Sequence, residues 1–313
     1  MKTLTYREGI FYDMPNSVYH AQLPHEDHWY SSSQLKDILE DPEIFHRKYI
    51  EQTMEKEDND NFEVGTYFHT AILEPKTLEK ACAVFEGPKR AGKQWESFQE
   101  ENKNKTIITL KGKMEADNLI NATLASPIAM ELINREGTKK EVSVFVVLDG
   151  VKIKVRFDVL YLSKEYSYGL DLKSTRGNPK NEYKIKDTLA RYSYELPAAL
   201  YIRAINEHIK RNDLPYAPIK DFYWVFASKD QALCRTWIST PDVLKVGNAK
   251  IDKAFELLKK YEGQGWVFYD ELGEADLPQW SKDEWLKGGA HRTNKYPTKA
   301  EFNNFNPKDS DLL

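Results

Sequence analysis

The sequence predicts an α/β fold, and three observations carry that expectation. Residues 142–162 read as two alternating strands joined by a tight turn, residues 62–73 and 241–261 carry apolar residues at helical spacing, and a chain of 313 residues that is 41% hydrophobic can bury a substantial core. The expected organisation is a principal domain over residues 1–262 and a tryptophan-containing extension over residues 263–313.

In chain order, residues 1–15 lack a signal-peptide pattern, and no apolar run approaches the roughly 20 residues of a membrane span. The acidic stretch 51–63 reads as a surface loop, and 62–73 as a helix. Residues 80–113 mix glycine, lysine and aromatic residues and read as a loop inserted over a groove; 113–136 read as a helix. Residues 142–148 alternate as a strand, Asp149-Gly150 is a favoured two-residue turn, and 151–162 form the returning strand. A short strand over 168–173 and a long helix over 187–211 follow, then a hairpin of 218–229 and 232–239 that extends the sheet. Thr240 is placed to cap an amphipathic helix over 241–261. Beyond it, Trp266, Trp280 and Trp285 either pack back on the domain or form a subunit contact, and 303–313 read as disordered.

On the returning strand, period 2 places Lys152, Lys154, Arg156 and Asp158 on one face and Ile153, Val155, Phe157 and Val159 on the other. On the next strand Asp171 and Lys173 oppose Leu170 and Leu172. If the two strands are neighbours in register, Asp158, Asp171 and Lys173 converge on one polar spot. The spelling Asp/Glu-x-Lys alone is weak, since Glu74-Lys76, Glu101-Lys103 and Glu182-Lys184 repeat it, and a solvated face of mixed charge is the rival explanation. The third element decides between them: His69 lies four residues after Gly65 on one helix face. A helical glycine costs about 1 kcal/mol relative to alanine, so Gly65 is expected where the helix presses on the sheet and aims His69 at the acids. Two carboxylates that hold a divalent cation beside an ammonium group form an arrangement that hydrolyses phosphodiesters.

Gly65-x-x-x-His69, Asp158, Asp171-Leu172-Lys173 and a following tyrosine-bearing helix together resemble the PD-(D/E)XK nuclease superfamily. Within it the chain most resembles the RecE-type exonucleases (the nuclease domain of exodeoxyribonuclease VIII), with RecB-type domains and Cas4 as cousins. Tyr30-Ser31-Ser32-Ser33-Gln34-Leu35, Asp41-Pro42, Phe45 and Lys48-Tyr49 fit the opening of these domains, and the likeness spans residues 30–204. It implies a restriction-endonuclease-like core, a mixed central sheet flanked by helices. It further implies that His69, Asp158 and Asp171, with the Leu172 carbonyl, hold the metal, that Lys173 orients or deprotonates the attacking water, and that Lys152, Lys154, Arg156 and Tyr201 contact DNA. Two departures stand out. Pro197 occupies the glutamine position of the family's Gln-x-x-x-Tyr helix, and an interior proline should kink that helix unless it begins nearby. Asp41 replaces the cysteine that some cousins use for an iron-sulfur cluster, so none is expected. The likeness also implies 5′-to-3′ digestion of linear double-stranded DNA in recombination, a ring-shaped homo-oligomer, and a single-strand annealing protein as partner.

Net charge is −4, but its distribution suits a DNA binder: residues 1–64 hold 6 Lys/Arg against 14 Asp/Glu, whereas 139–186 hold 11 against 6. The two cysteines, Cys82 and Cys234, have no paired metal-ligand spacing, which suits a reducing, cytoplasmic setting. The absence of a nucleotide-binding glycine-rich loop argues against a motor or kinase. Magnesium (Mg2+) suits the oxygen donors, and the histidine makes manganese (Mn2+) acceptable. The resulting expectation is a metal-dependent exodeoxyribonuclease. Its rivals are a Cas4-like or other single-strand or end-trimming nuclease and a non-catalytic DNA-binding protein of the same fold.

Overall fold

The structure, a computed structural model, describes residues 6–21, 28–54, 60–268 and 275–285. Met1–Val267 forms one compact unit and Phe268–Leu313 another. The elements run β1 (Gly9–Phe11), α1 (Asn16–Tyr19), α2 (Ser32–Glu40), α3 (Pro42–Phe45), α4 (Asp60–Leu73), α5 (Leu78–Ala81), β2 (Cys82–Phe85), α6 (Lys93–Glu101), β3 (Thr106–Thr109), α7 (Leu110–Leu124) and α8 (Pro127–Asn134). They continue with β4 (Lys139–Leu148), β5 (Val151–Tyr161), β6 (Tyr168–Thr175), α9 (Glu182–Arg191), α10 (Glu195–Arg211), β7 (Asp221–Ser228), β8 (Cys234–Ile238), α11 (Pro241–Gly263) and α12 (Gln279–Trp285).

The central sheet has six strands in the order β1-β4-β5-β6-β7-β8, antiparallel except for the parallel β6–β7 pair, so it is mixed and flanked by helices as expected. One core joins Leu35, Phe45, Leu200, Ile205, Ile251 and Phe255 of α2, α3, α10 and α11 to Val144, Ile153, Phe157 and Phe226 of the sheet. A second joins Phe68, Leu119 and Leu132 of α4, α7 and α8 to Val159, Leu170, Leu172 and Val225. Helices therefore cover both faces, which is why Val144, Phe157, Leu170 and Val225 are all buried. The N-terminal segment adds a smaller cluster in which Tyr19 and Trp29 close on Phe145.

Several expected elements are resolved more finely. The long 187–211 helix is two, α9 and α10. Pro197 sits in the first turn of α10, where its missing N–H has no intrahelical partner, so it starts the helix without kinking its middle. Likewise the expected 113–136 helix is two, α7, which already starts at Leu110, and α8, separated because Ser126 caps a new start with Pro127 behind it. The insertion at 80–113 is ordered: β2 and β3 pair in parallel, and Phe85 packs on Trp95 and Phe98 of α6. Thr240 caps α11 by accepting the Val243 N–H, and Asp41 caps α3 through Glu43 and Ile44. Trp266 packs on Phe45, His46 and Tyr261 within the first unit, whereas Trp280 and Trp285 lie in α12. Residues 55–59 of the acidic loop, the first five residues and 303–313 lie outside the described residues. No described helix is long and apolar enough to cross a membrane.

Candidate active site

The site arises where the sheet comes apart. The free edge of β5 is bridged at one end by Tyr30, whose N–H donates to Lys152 and whose carbonyl accepts from Lys154, and at the other by β6, which pairs only at Val159–Leu170, Leu160–Gly169 and Tyr161–Tyr168. Arg156 to Asp158 fall in the gap. Extending the β5–β6 register would set Asp158 opposite Asp171; instead the strands splay, and the Asp158 carboxylate accepts the buried Leu172 N–H at 2.6 Å across the opening. On the other side of β5 the ladder to β4 also skips a pair, the one that would join Asp158 to Glu141. Glu141 there has φ of 55°, a left-handed conformation that few non-glycine residues adopt. The strict alternation expected for β5 consequently slips: Phe157 and Leu160 pack in the first core, while Val159, expected on their face, packs in the second.

His69 reaches this gap from α4, its Nδ1 3.5 Å from Asp158 Oδ2. His69, Glu141 and Asp158 present ligand atoms that all lie within 4.8 Å of one another, a donor set of one imidazole and two carboxylates that fits a divalent cation. Asp171 stands outside that trio and forms an ion pair with Lys173. Electrostatics follow from this crowding. Burial would lower the His69 imidazole, but the Asp158 carboxylate outweighs it, so its pKa is raised. Burial would raise Asp158, but His69, Lys173 and the Leu172 amide hold it low. Burial, with Asp158 beside it, raises Asp171 despite Lys173. Burial and Asp158 likewise raise Glu141 against the opposing Arg156. Lys173 is held charged, because Asp171 and Asp158 more than offset its burial.

The structure thus gathers His69, Asp158, Asp171 and Lys173, and the Leu172 main chain adjoins them through its amide. The expected DNA-contacting cations lie differently. Lys154, 8% exposed, gives its ammonium to the Tyr19 carbonyl at 2.8 Å and lies over the Tyr6 and Tyr19 rings. Arg156 is paired with Glu141 and donates to the Met14 carbonyl. Both serve to anchor the N-terminal segment, a partner for that face which the strand pattern alone does not reveal. Lys152 is half-buried, its carbonyl taken by Tyr30. Tyr201 lines the groove, packs on Phe157 and bonds Ser32.

Above the gap runs a groove of about 1410 Å³, walled by Met14 and Tyr19 of the N-terminal segment, Gly65 and His69 of α4, and Lys103 and Lys105 of the insertion, with Asp158 and Lys173 also lining it. Gly65 does not press on the sheet: an added Cβ would meet nothing within 4 Å. A close helix approach occurs instead at Gly247 of α11, where a Cβ would lie 2.7 Å from the Ala199 Cβ and against the Glu195 carbonyl. Glu141 is the residue sequence reasoning missed. The signal was available, since a two-residue turn at Asp149-Gly150 sets Leu148 opposite Val151 and therefore Glu141 opposite Asp158.

A profile described as "PDDEXK-like domain of unknown function (DUF3799)" matches residues 31–260. Among solved structures, the chain is similar to a candidate exonuclease from Eubacterium rectale, at 15% identity and a TM-score of 0.57, covering 88% of this chain and 99% of that one. The structure of SSO0001 aligns at 12% identity and a TM-score of 0.26 over 62% of this chain and 86% of that one, too weakly to bear on the fold. No curated protein matches the chain.

Proposed function

This chain belongs to the family of PDDEXK-like domains of unknown function (DUF3799), and from that premise we propose that it is a metal-dependent nuclease that hydrolyses DNA phosphodiesters in the groove above the β5–β6 gap. The observation that carries the reading is the convergence of His69, Glu141 and Asp158 within 4.8 Å beside the Asp171–Lys173 pair on the floor of an open groove. In this reading His69, Glu141 and Asp158 hold the cation, and magnesium or manganese suits their oxygen and nitrogen donors. A divalent cation, when bound, supplies Lewis-acid polarisation of the phosphoryl group.

The remaining roles belong to the chain. Lys173 keeps its proton and places positive charge where charge develops on the phosphate, and it orients the attacking water. Asp171 fixes the Lys173 ammonium, with the Tyr194 ring 5.0 Å beneath it. Lys103 and Lys105 on the opposite wall suit phosphates away from the cut.

The substrate we propose is linear double-stranded DNA digested from the 5′ end in recombination. Its support is the likeness to RecE-type enzymes and the fold shared with the Eubacterium rectale protein, itself described only as a candidate exonuclease. A ring-shaped oligomer and a single-strand annealing partner belong to the same proposal. The test is digestion of end-labelled linear duplex, circular duplex and single-stranded DNA with magnesium, with manganese and with EDTA. Loss of one end label first, only on linear duplex and only with metal, is the expected result. Cleavage of circles or preference for single strands would replace it with an endonuclease or end-trimming enzyme, and no cleavage under any condition would end the nuclease reading.

A further inference from the structure

We propose that the turn between α9 and α10 is a stacking platform for an unpaired nucleobase of the bound strand, with Tyr192 as its contact surface. The inference rests on the nuclease reading and adds a substrate feature to it: a base near the cleaved phosphate leaves the duplex stack.

Four observations carry it. First, Tyr192 and Tyr194 stack with ring centroids 5.6 Å apart and planes inclined by 23°. Residues two apart meet in this way because Ser193 between them is left-handed, at φ of 48°. Second, the stack starts at the catalytic lysine: the Tyr194 ring lies 5.0 Å from Lys173 Nζ and 5.3 Å from Lys36 Nζ. Third, it ends in solvent, since Tyr192 is 56% exposed whereas Tyr194 packs on the first core. Fourth, the turn is clamped. Lys36 donates to the Tyr192 carbonyl at 2.6 Å, and Lys250 donates to Ser193 Oγ at 2.9 Å while paired with the buried Glu195.

A non-glycine residue in the left-handed region is strained and persists only where its surroundings hold it. Here two lysines do so, and the outcome is an exposed flat ring in fixed orientation, one ring away from the group that meets the phosphate. Inside a duplex both faces of a base are covered by neighbours, whereas an unpaired base at a strand end has a free face that this ring can cover. Every base has such a face, so the contact would tolerate any sequence. The ammonium groups of Lys36 and Lys173 behind Tyr194 make the surroundings of the stack attractive to the phosphates that flank that base.

The test uses the full chain and short duplexes with single-stranded overhangs carrying 2-aminopurine, or an abasic residue, at successive overhang positions, in EDTA so that nothing is cut. Fluorescence should be quenched at one position by the wild type and by Tyr192→Phe. Tyr192→Ala and the bulk-preserving Tyr192→Leu should lose that quenching, bind roughly tenfold or more weakly at unchanged melting temperature, and become indifferent to the abasic residue that weakens the wild type. Equal quenching and affinity in wild type and Tyr192→Leu, or abasic sensitivity persisting in the variants, overturns the platform. Cleavage with magnesium is read separately. Cleavage without Tyr192-dependent quenching leaves the nuclease reading and removes the platform; quenching without cleavage does the reverse; absence of any binding by the wild type removes both.

Discussion

Gly65→Ala should stabilise the protein. The residue lies inside α4, at a place where an added Cβ would meet nothing within 4 Å, so no neighbour has to move. What remains is the backbone effect, in which alanine is favoured over glycine in a helix by about 0.8–1 kcal/mol. For a unit as large as Met1–Val267 that corresponds to a rise in melting temperature of roughly 2–4 °C. The close-packing role expected from the sequence predicts the opposite sign, since overpacking costs about 1–3 kcal/mol. Gly247→Ala provides the control, because its Cβ would collide with Ala199 and the Glu195 carbonyl and should lower stability by that amount. Urea and thermal unfolding of the three proteins side by side is the assay. A lower melting temperature for Gly65→Ala would refute the reasoning. Gly65→Leu extends the test to function: as Gly65 lines the groove wall one helical turn from His69, the larger side chain should keep the fold and weaken DNA binding by filling the groove.

Lys173→Ala should abolish DNA cleavage in a folded protein. It should also cost roughly 3 kcal/mol in urea unfolding, because it leaves the buried Asp171 without its partner. Glu141→Gln should weaken manganese binding at least about tenfold by calorimetric titration, since it removes one carboxylate of the trio; unchanged affinity would place the cation away from Glu141. In the wild type, manganese at about 100 times its dissociation constant should stabilise the fold by roughly 2.7 kcal/mol, and this increment should shrink in Glu141→Gln. Lys154 gives the pH prediction. Burial lowers its pKa to about 8, below an unfolded value of roughly 10.4. The folded state therefore binds fewer protons than the unfolded state between those values, so stability rises with pH there, by at most about 1.4 kcal/mol per pH unit. Between pH 8 and about 9.5 the wild type should gain roughly 1–2 kcal/mol relative to Lys154→Met, and parallel pH profiles of the two proteins would contradict the burial of that ammonium.

Much of this was legible in the chain because it is written in local periodicity. The β4–β5 hairpin, its turn, β6, α11 and its Thr240 cap follow from alternation, turn chemistry and capping, all of which act over a few residues. What the sequence concealed depends on contacts between distant segments. Nothing near Lys154 or Arg156 indicates that Tyr19 and Met14, more than 130 residues earlier, will occupy them. Gly65 and Gly247 are both helical glycines, and only the three-dimensional neighbours tell which one is crowded. The slip at Val159 was hidden for a related reason, since the pattern Ile153-Val155-Phe157-Val159 alternates perfectly in sequence while the backbone does not.

That slip explains why the site is where it is. An unbroken sheet would hydrogen-bond the β5 and β6 edges to each other and press Asp158 and Asp171 together as a cross-strand pair of like charges, which is destabilising. Opening the ladder removes that pairing but leaves main-chain groups to satisfy. The Asp158 carboxylate takes the Leu172 amide, and Tyr30 takes both Lys152 and Lys154 further along. The same break lets Glu141 turn its carboxylate toward Asp158 at the cost of a left-handed backbone. Burial raises the Asp171 and Glu141 pKa values, the neighbouring Asp158 carboxylate adds to that rise by repulsion, and Lys173 and Arg156 only partly compensate. The fold therefore spends backbone regularity to gather negative charge in a groove, and a divalent cation is the ligand whose binding would relieve that repulsion most directly. On this view the irregular backbone at Glu141 and Asp158 and the metal-binding capacity are one feature. A substitution that restored a regular β4–β5–β6 ladder should make the sheet more stable and the cation site weaker together.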